Sequence, residues 1–233
     1  MLEEILRIHL TAMGLPHDET LLERFRAYYQ FLSEKNQVMN LTAISGEEKT
    51  ARLHFLDSAV PLCRFSMDGA KVIDVGSGAG FPGVVLKLLC PSMRLTLLDS
   101  QRKRIGFLTE LCSLLELEQV ECIHARAEEI GFLRERFDFA VSRAVARMNI
   151  LSELCLPYVR PGGMFLALKG PAAAEELTEA EHAIPLLGAA VEEVFAESIP
   201  GDDLRHTLVA VRKTRSTPQG YPRPFSQIKK SPL

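Results

Sequence analysis

The chain has 233 residues, of which 47% are hydrophobic and 24% are charged, proportions that are ordinary for a globular protein. They exclude a disordered tail protein, a collagen and a coiled-coil rod, and the length allows one large domain with a small addition. The formal net charge of −3 argues at first against a nucleic-acid partner.

The first 66 residues show only helical periodicity, and we predict that they form a helical cap. Apolar residues recur at spacings of three and four within 2–13 and again within 21–32. Ser45, with Glu48 three residues later, is typical of a capping box and predicts that a third helix begins there. The aromatic residues expected in the core of this segment are Phe25, Tyr28, Tyr29 and Phe31.

Between residues 67 and 214, strand-like runs alternate with helical segments, which is typical of an α/β domain. We predict seven strands. The connection between the last two, at 191–198 and 207–212, is too short for a crossover helix, so they must pair antiparallel. The other strands are predicted at 72–75, 95–98, 120–124, 137–142 and 164–168, and helices at 84–90, 102–115, 149–158 and 172–187.

Residues 215–233 form a basic C-terminal tail. From Arg205 onward there are seven basic residues and no acidic one, which leaves 20 basic against 30 acidic residues in the rest of the chain. The near-neutral total is therefore a cancellation, and a basic segment of this kind can hold nucleic acid. Because the tail is rich in proline and serine, we interpret it as a surface or disordered segment.

The cysteines and the N-terminus indicate the compartment. Five widely spaced cysteines without a C-x-x-C pair predict buried thiols in a reducing environment and no structural metal. The acidic start at Met1–Glu4 is unlike a signal peptide, and no apolar run approaches the roughly 18 residues of a spanning helix. We expect a cytoplasmic monomer without a membrane partner.

A glycine-rich segment at 76–83, which we call the glycine loop, follows the first predicted strand and precedes a helix. This arrangement holds a charged cofactor against backbone N–H groups. Asp74 lies at the end of the first strand, and Asp99 ends the second, where a carboxylate can accept hydrogen bonds from both hydroxyls of a ribose. A nicotinamide-dependent oxidoreductase and an S-adenosylmethionine-dependent methyltransferase both fit. The terminal hairpin, and the lack of room for a substrate domain, favour the methyltransferase.

Six segments carry a resemblance to a known family. They are DVGSGAGFPG at 74–83, LLDS at 97–100, FDFAVSRA at 137–144, KG at 169–170 and, in the cap, NQVMNLTAI at 36–44 and HFLDS at 54–58. Together they resemble the bacterial small-subunit rRNA guanine-N7 methyltransferases, the RsmG or glucose-inhibited-division-B family. The resemblance covers about residues 20–212, and its cap and SRA motifs are more specific than the glycine loop.

The resemblance implies a class I S-adenosylmethionine-dependent methyltransferase with a Rossmann-like seven-stranded sheet, an antiparallel last strand and an N-terminal helical cap. It implies methylation of N7 of a guanine in 16S rRNA of the small ribosomal subunit. It places Arg143 at the methionine end of the cofactor or at the target base, as a catalytic residue that positions the reactants. Together with the glycine loop it predicts as cofactor-binding residues Asp74, Gly76, Gly78, Gly80, Phe81, Asp99, Ser100, Ala127, Glu128 and Arg143. Candidate RNA-binding residues are Arg102, Lys103, Arg104, Lys169, Lys213 and Arg215.

The absence of motifs for other kinds of methylation agrees with a reaction at guanine N7. Guanine N7 carries a lone pair and no proton, so its methylation requires alignment and no general base. The sequence has neither the [N/D]-P-P-[Y/F] motif of exocyclic-amine methyltransferases nor the Pro-Cys nucleophile of pyrimidine-C5 enzymes. Lys103 or Lys169 could serve an O-methyltransferase instead. An NAD-dependent oxidoreductase and a non-catalytic RNA-binding or cell-division factor stay open as alternative functions.

Two expectations concern the regions that flank the sheet. His54 and Asp57 could contact RNA or pin the cap to the sheet by hydrogen bonds, and we favour pinning. Deletion of the chain after Thr214 is expected to weaken RNA binding and to leave cofactor binding unchanged.

Overall fold

Seven strands form one sheet in the computed structural model, which describes residues 1–197 and 206–233. The five inner strands are rich in apolar residues that are buried on both faces, as strands covered by helices require, whereas the two edge strands are more exposed. The strands are β1 (Lys71–Val75), β2 (Arg94–Asp99), β3 (Val120–His124), β4 (Phe137–Arg143), β5 (Val159–Lys169), β6 (Ala189–Glu197) and β7 (His206–Lys213).

The strand order is β3-β2-β1-β4-β5-β7-β6. The strands from β1 to β5 pair in parallel, whereas β7 lies antiparallel between β5 and β6. The predicted α/β sheet with an antiparallel terminal hairpin is thus confirmed. The connection at 199–203, and Ser198 at the end of the sixth predicted strand, lie outside the described residues.

Helices cover both faces of the sheet, and alternate strand residues belong to two separate cores. Val72 and Leu97 pack into the core shared with the cap, whereas Ile73 and Leu98 pack into the core on the opposite face. The α-helices are α1 (Leu2–Ala12), α2 (Glu19–Met39), α3 (Glu47–Thr50), α4 (Asp57–Ala59), α5 (Gly83–Leu89), α6 (Arg102–Leu114), α7 (Met148–Cys155), α8 (Ala173–Glu179), α9 (Ala183–Leu186) and α10 (Phe225–Lys230). Short 3₁₀ turns span Val60–Cys63, Ala127–Glu129, Gly131–Leu133 and Leu156–Tyr158.

Before β1 the described chain is helical. A π-helical turn, Ala51–Leu56, joins α3 and α4 into one continuous stretch. The predicted capping box is wrong: Gly46 is the N-cap of α3, and no side chain caps this helix. Gly46 has φ +90°, a conformation that suits glycine better than Ser45, and Glu48 pairs with Arg52 instead.

The aromatic residues of the cap pack as predicted. Phe25 and Tyr28 are fully buried, and both rings contact Phe55 at centroid distances of 4.9 and 5.2 Å. Phe31 stacks on Phe107 of α6 at 5.3 Å. The Tyr28 hydroxyl donates to the Ala79 carbonyl over 2.6 Å, which joins the cap to the glycine loop. The cap thus shares its core with one face of the sheet.

The tail lies at the surface, one of the two alternatives that the sequence predicts, and specific contacts hold it there. The guanidinium of Arg134 donates to the backbone carbonyls of Pro218 (3.0 Å), Tyr221 (2.6 Å) and Thr217. Ile228 of α10 is fully buried in the core on the face opposite the cap. The tail therefore packs against the helices and strands of the core on the face opposite the cap.

Within residues 1–197 and 206–233, no helix combines the length and apolar character that crossing a bilayer would require. The same residues contain no group of three His, Cys, Asp or Glu side chains arranged to hold a metal ion.

Candidate functional site

A cavity of about 470 Å³, which we call the first cavity, opens at the carboxyl ends of the parallel strands. The chain continues from β1 toward β2 on one side, while β4 lies on the other, so the loops diverge and leave a crevice between them. Residues that follow four neighbouring strands line it: 75–79 and Phe81 after β1, 98–100 after β2, 125–128 after β3 and 143–145 after β4.

Two glycines of the glycine loop, Gly80 and Gly83, are packed so closely that a side chain at either position would clash. At Gly80, which has φ +96°, a Cβ atom would lie 2.5 Å from the Tyr28 hydroxyl. At Gly83, a Cβ would lie 2.6 Å from Oδ2 of Asp74. Larger residues at these positions would separate the loop from the cap and α5 from β1. Gly80 therefore allows the loop to pack against Tyr28 of the cap, and it does not line the cavity.

Asp99 presents a buried carboxylate at the wall of the first cavity. Its Oδ2 accepts a 3.0 Å hydrogen bond from the Gly78 N–H, and its Oδ1 accepts one of 2.8 Å from the Gln101 N–H. Arg104 of α6 approaches Oδ2 to 3.5 Å. Each carboxylate oxygen can accept more than one bond, so Asp99 is fixed in position and keeps acceptor capacity for a ligand.

Asp74 supports the loop from behind, and the prediction that it contacts a cofactor directly is corrected. It is fully buried and absent from the cavity lining. Its Oδ2 accepts from the Gly83 N–H at 2.8 Å, whereas Oδ1 has no hydrogen-bond partner among the described residues. Burial raises the pKa of Asp74 to about 7. This carboxyl group holds the start of α5 against β1.

Arg143, at the end of β4, is the joint between the sheet and the cap. Its guanidinium donates to Oδ2 of Asp57 at 2.7 Å and to Nδ1 of His54 at 2.9 Å, and it lies 4.8 Å from the centroid of the Phe81 ring. The second carboxylate oxygen of Asp57 pairs with Nδ1 of His206 at 2.9 Å. The interpretation of His54 and Asp57 as pinning residues is confirmed.

The protonation state of His54 follows from its partners. Arg143 can only donate, so Nδ1 must accept, and Nε2 carries the proton that it donates to Oγ1 of Thr42 at 2.8 Å. Burial and the charge of Arg143 lower the pKa of His54 to about 3. Burial alone would raise the pKa of Asp57, but hydrogen bonds from His206 and Arg143 and the Arg143 charge bring it below its ordinary value. Neutral His54 stacks on Phe81 at a centroid distance of 4.3 Å.

A second cavity of about 460 Å³ adjoins the first and shares with it the segment 143–145. Lys169, the last residue of β5, donates to the Ala146 carbonyl and pairs with Glu176 of α8, both at 2.6 Å. The carboxylates of Glu176 and Asp57 and the ring of His206 also line this second cavity. Arg143 therefore stands between two spaces of similar size.

Eight of the ten predicted cofactor-binding residues line the first cavity, and Asp74 and Gly80 do not. Residues that were not predicted also line it. Leu41 and Thr42 lie within a family-like motif and could have been chosen on that ground, whereas nothing in the local pattern singles out Arg126, Leu154 or Phe225. The additional lining residues include Leu41, Thr42, Arg126, Leu154 and Phe225.

The candidate RNA-binding residues differ in how far their side chains are exposed. Arg102 and Lys103, at the start of α6, are exposed, and Arg104 beside them turns toward Asp99. Lys169 is almost buried and paired with Glu176. The prediction for Lys213 is wrong. Its side chain is fully buried, donates to the Leu156 carbonyl at 2.7 Å and cannot meet RNA. Arg215 is exposed and donates to the Pro185 carbonyl at 2.9 Å.

Comparison with known proteins identifies the family. The model of the family described as rRNA small subunit methyltransferase G matches residues 21–204. A protein of that name from Alkaliphilus oremlandii is 44% identical over 236 residues, covering 100% of this chain and 99% of its own. A second, from Lactobacillus johnsonii, is also 44% identical and covers 99% of both chains. The oxidoreductase and the non-catalytic factor have no support from these relatives.

Solved structures resemble this chain in fold alone. The [4+2]-cyclase SpnF superimposes with a TM-score of 0.58 at 14% identity, over 80% of this chain and 96% of its own. The protein TYW2 from M. jannaschii, solved in complex with AdoMet, superimposes with a TM-score of 0.53 at 14% identity, over 68% of this chain and 76% of its own. Because one fold hosts several chemistries, the family is decided by sequence and site. By its full-length relatives and its family model, the chain belongs to the rRNA small subunit methyltransferase G family.

Proposed function

We propose that this protein transfers a methyl group from S-adenosylmethionine to N7 of a guanine in 16S rRNA of the small ribosomal subunit. The observation that carries the proposal is the pair of adjoining cavities, with the Asp99 carboxylate in the first and Arg143 at their boundary. We place this activity in the cytoplasm, where ribosomal RNA is modified, and assign it to a monomer.

The residues of the first cavity fit S-adenosylmethionine. A volume of about 470 Å³ is within the range of pockets that enclose a ligand of this size. Asp99 offers carboxylate oxygens to ribose hydroxyls, and the side-chain-free backbone at Gly76 and Gly78 allows a close approach. When bound, the cofactor supplies a methyl group on a positively charged sulfur.

The protein's own contribution to the transfer is alignment. N7 has no proton to lose, and His54, which lines the first cavity, is committed to Arg143 and Thr42 with a pKa of about 3. Arg143 is held by Asp57 and His54, so its guanidinium is fixed at the boundary that the methyl group must cross. The carboxylates of Asp57 and Glu176 line the second cavity, where each is paired with a cation, Arg143 and Lys169 respectively.

The experiment is transfer of tritiated methyl groups to free 16S rRNA and to assembled small subunits, followed by nucleoside analysis. We expect N7-methylguanine as the labelled product. Gly78→Asp should abolish both transfer and binding of S-adenosylhomocysteine, because Gly78 has φ +57° and its N–H holds Asp99. Gly106→Ala is the matched control, since Gly106 lies on α6 with open space around it. A labelled product other than N7-methylguanine would refute the target, and a wild-type protein that binds no cofactor would refute the activity.

A further inference from the structure

The tail contributes a wall of the first cavity. Phe225, the first residue of α10, lies in the cavity lining together with Ala127 and Leu154. The guanidinium of Arg126 lies 5.9 Å from the centroid of the Phe225 ring. An aromatic side chain from the last element of the described chain therefore faces the space in which a cofactor would bind.

Strong anchors fix this wall. The carboxylate of Glu153 on α7 is fully buried and pairs with the Arg223 guanidinium at 2.6 Å, two residues before Phe225. It also accepts from the backbone N–H of Arg223 at 2.8 Å. Three residues after Phe225, Ile228 is fully buried. Anchors on both sides restrict where the Phe225 ring can lie.

The order of the strands assigns each end of the first cavity. Along the sheet edge the lining runs from Arg143 after β4, past the glycine loop after β1 and Asp99 after β2, to residues 125–128 after β3. The reactive methyl group must face the second cavity, which adjoins the Arg143 end. With the ribose at Asp99, the adenine must lie at the opposite end. Phe225 is at that end, because its ring lies 5.9 Å from the Arg126 guanidinium and it lines the cavity together with Ala125 and Ala127.

We propose that Phe225 is a cofactor-binding residue that contacts the adenine of S-adenosylmethionine, and that the tail is a fixed part of the cofactor site. This inference rests on the proposed cofactor. An aromatic face suits a purine because the contact combines apolar burial with stacking. The earlier expectation that the tail can be deleted without loss of cofactor binding is thereby reversed.

The first test measures binding of S-adenosylhomocysteine and of adenosine by calorimetry. Phe225→Ala should weaken both by about tenfold, the loss typical of one base–aromatic contact. Phe225→Tyr should restore the affinity, and Gln227→Ala, on the exposed side of the same helix, should leave it unchanged. The KM for RNA should not change with Phe225→Ala. Unfolding curves without ligand establish that each variant is folded.

A second test uses the absence of tryptophan from the sequence. Phe225→Trp introduces a single fluorophore at the proposed contact, and saturating S-adenosylhomocysteine should quench or shift its emission. The same ligand should not affect the emission of Gln227→Trp. Wild-type binding with unchanged affinity in Phe225→Ala, or with unchanged emission in Phe225→Trp, would overturn this inference alone. A wild-type protein without affinity for S-adenosylhomocysteine would instead overturn the proposed function.

Discussion

The cap and the tail reach the same cavity from opposite ends of the sequence, yet they are attached in different ways. The cap brings Leu41, Thr42 and His54 to the first cavity and shares a large aromatic and aliphatic core with the sheet. The tail brings Phe225 and is held by the Arg134 hydrogen bonds, the Glu153–Arg223 pair and two buried side chains, Thr217 and Ile228.

This difference separates two ways of completing a site. Apolar burial in the cap is spread over many side chains, so no single one decides whether the cap is attached. The tail depends on a few buried polar contacts, and removal of one partner leaves the other buried and uncompensated. Substitutions at the tail anchors should therefore act as sharply as those at Arg143, whose buried ion pair with Asp57 joins the cap to the sheet.

The largest effect is expected at Arg143. Arg143→Ala removes the group between the two cavities and leaves the Asp57 carboxylate with His206 as its side-chain partner among the described residues. We expect methyl transfer to fall by at least about a hundredfold and stability to fall by about 3–5 kcal/mol. Single-turnover transfer and denaturant unfolding measure the two losses. Arg143→Lys, which keeps the charge without the forked geometry, should recover stability better than activity, and full activity in Arg143→Ala would contradict this role.

Next in size is Arg223→Ala in the tail. The change leaves the fully buried Glu153 without its partner, and we expect a loss of about 3 kcal/mol, seen as a Tm lower by about 6–12 °C. The double variant with leucine at both positions should regain much of this stability, since it removes both charges. If Arg223→Ala melts like the wild type, the tail is attached by something other than this pair.

The free energy of unfolding should depend on pH in two separate ranges, one set by His54 in the cap and the other by Lys213 at the end of β7. Burial lowers the pKa of His54 to about 3, so between pH 6.5 and 3 the unfolded chain binds a proton that the folded chain does not. Stability therefore falls as the pH decreases through this range. Burial also lowers the pKa of Lys213 to about 8, so the unfolded chain holds the extra proton up to about pH 10.5. Stability then rises with pH from 8 to 10.5. Each slope is at most about 1.4 kcal/mol per pH unit.

Denaturant unfolding across these ranges tests both slopes. His54→Gln keeps an acceptor for Arg143 and a donor for Thr42 without a titrating ring, and it should flatten only the acid side. Lys213→Met should flatten only the alkaline side. An acid slope that survives in His54→Gln would show that another group at the cap joint causes it.

The smallest effect belongs to the exposed basic residues near the cavity mouth. Arg102→Ala should weaken RNA binding slightly and reduce the slope of log affinity against log salt by about 0.7–0.9, with no change in Tm. Arg94→Ala is the control, because Arg94 is also exposed but starts β2 at the opposite edge of the sheet. Equal effects in the two variants would mean that RNA does not approach the carboxyl ends of the strands.

Local patterns predicted the sheet well, because β-branched runs, helical spacing and short connections are properties of neighbouring residues. They also located the glycine loop and Asp99, since each is defined by the strand it follows. The failures concern long-range packing. From its sequence, Lys213 is expected to be a charged surface residue. Its burial is explained by its contacts with the Leu156 carbonyl and Thr217, which the sequence does not reveal. Phe225 lies in a proline-rich segment without periodicity, so its place in the cavity depends on anchors far away in sequence.

The distance in sequence between Leu41 and Phe225 has a consequence for folding. A cavity whose walls come from both ends of the chain is complete only after the contacts of longest sequence separation have formed. A ligand that binds there contacts residues of the cap, the sheet and the tail at the same time. Its binding energy is added to global stability, about 2.7 kcal/mol at a concentration a hundred times its Kd. The supply of ligand thus protects both ends of the molecule against proteolysis at once.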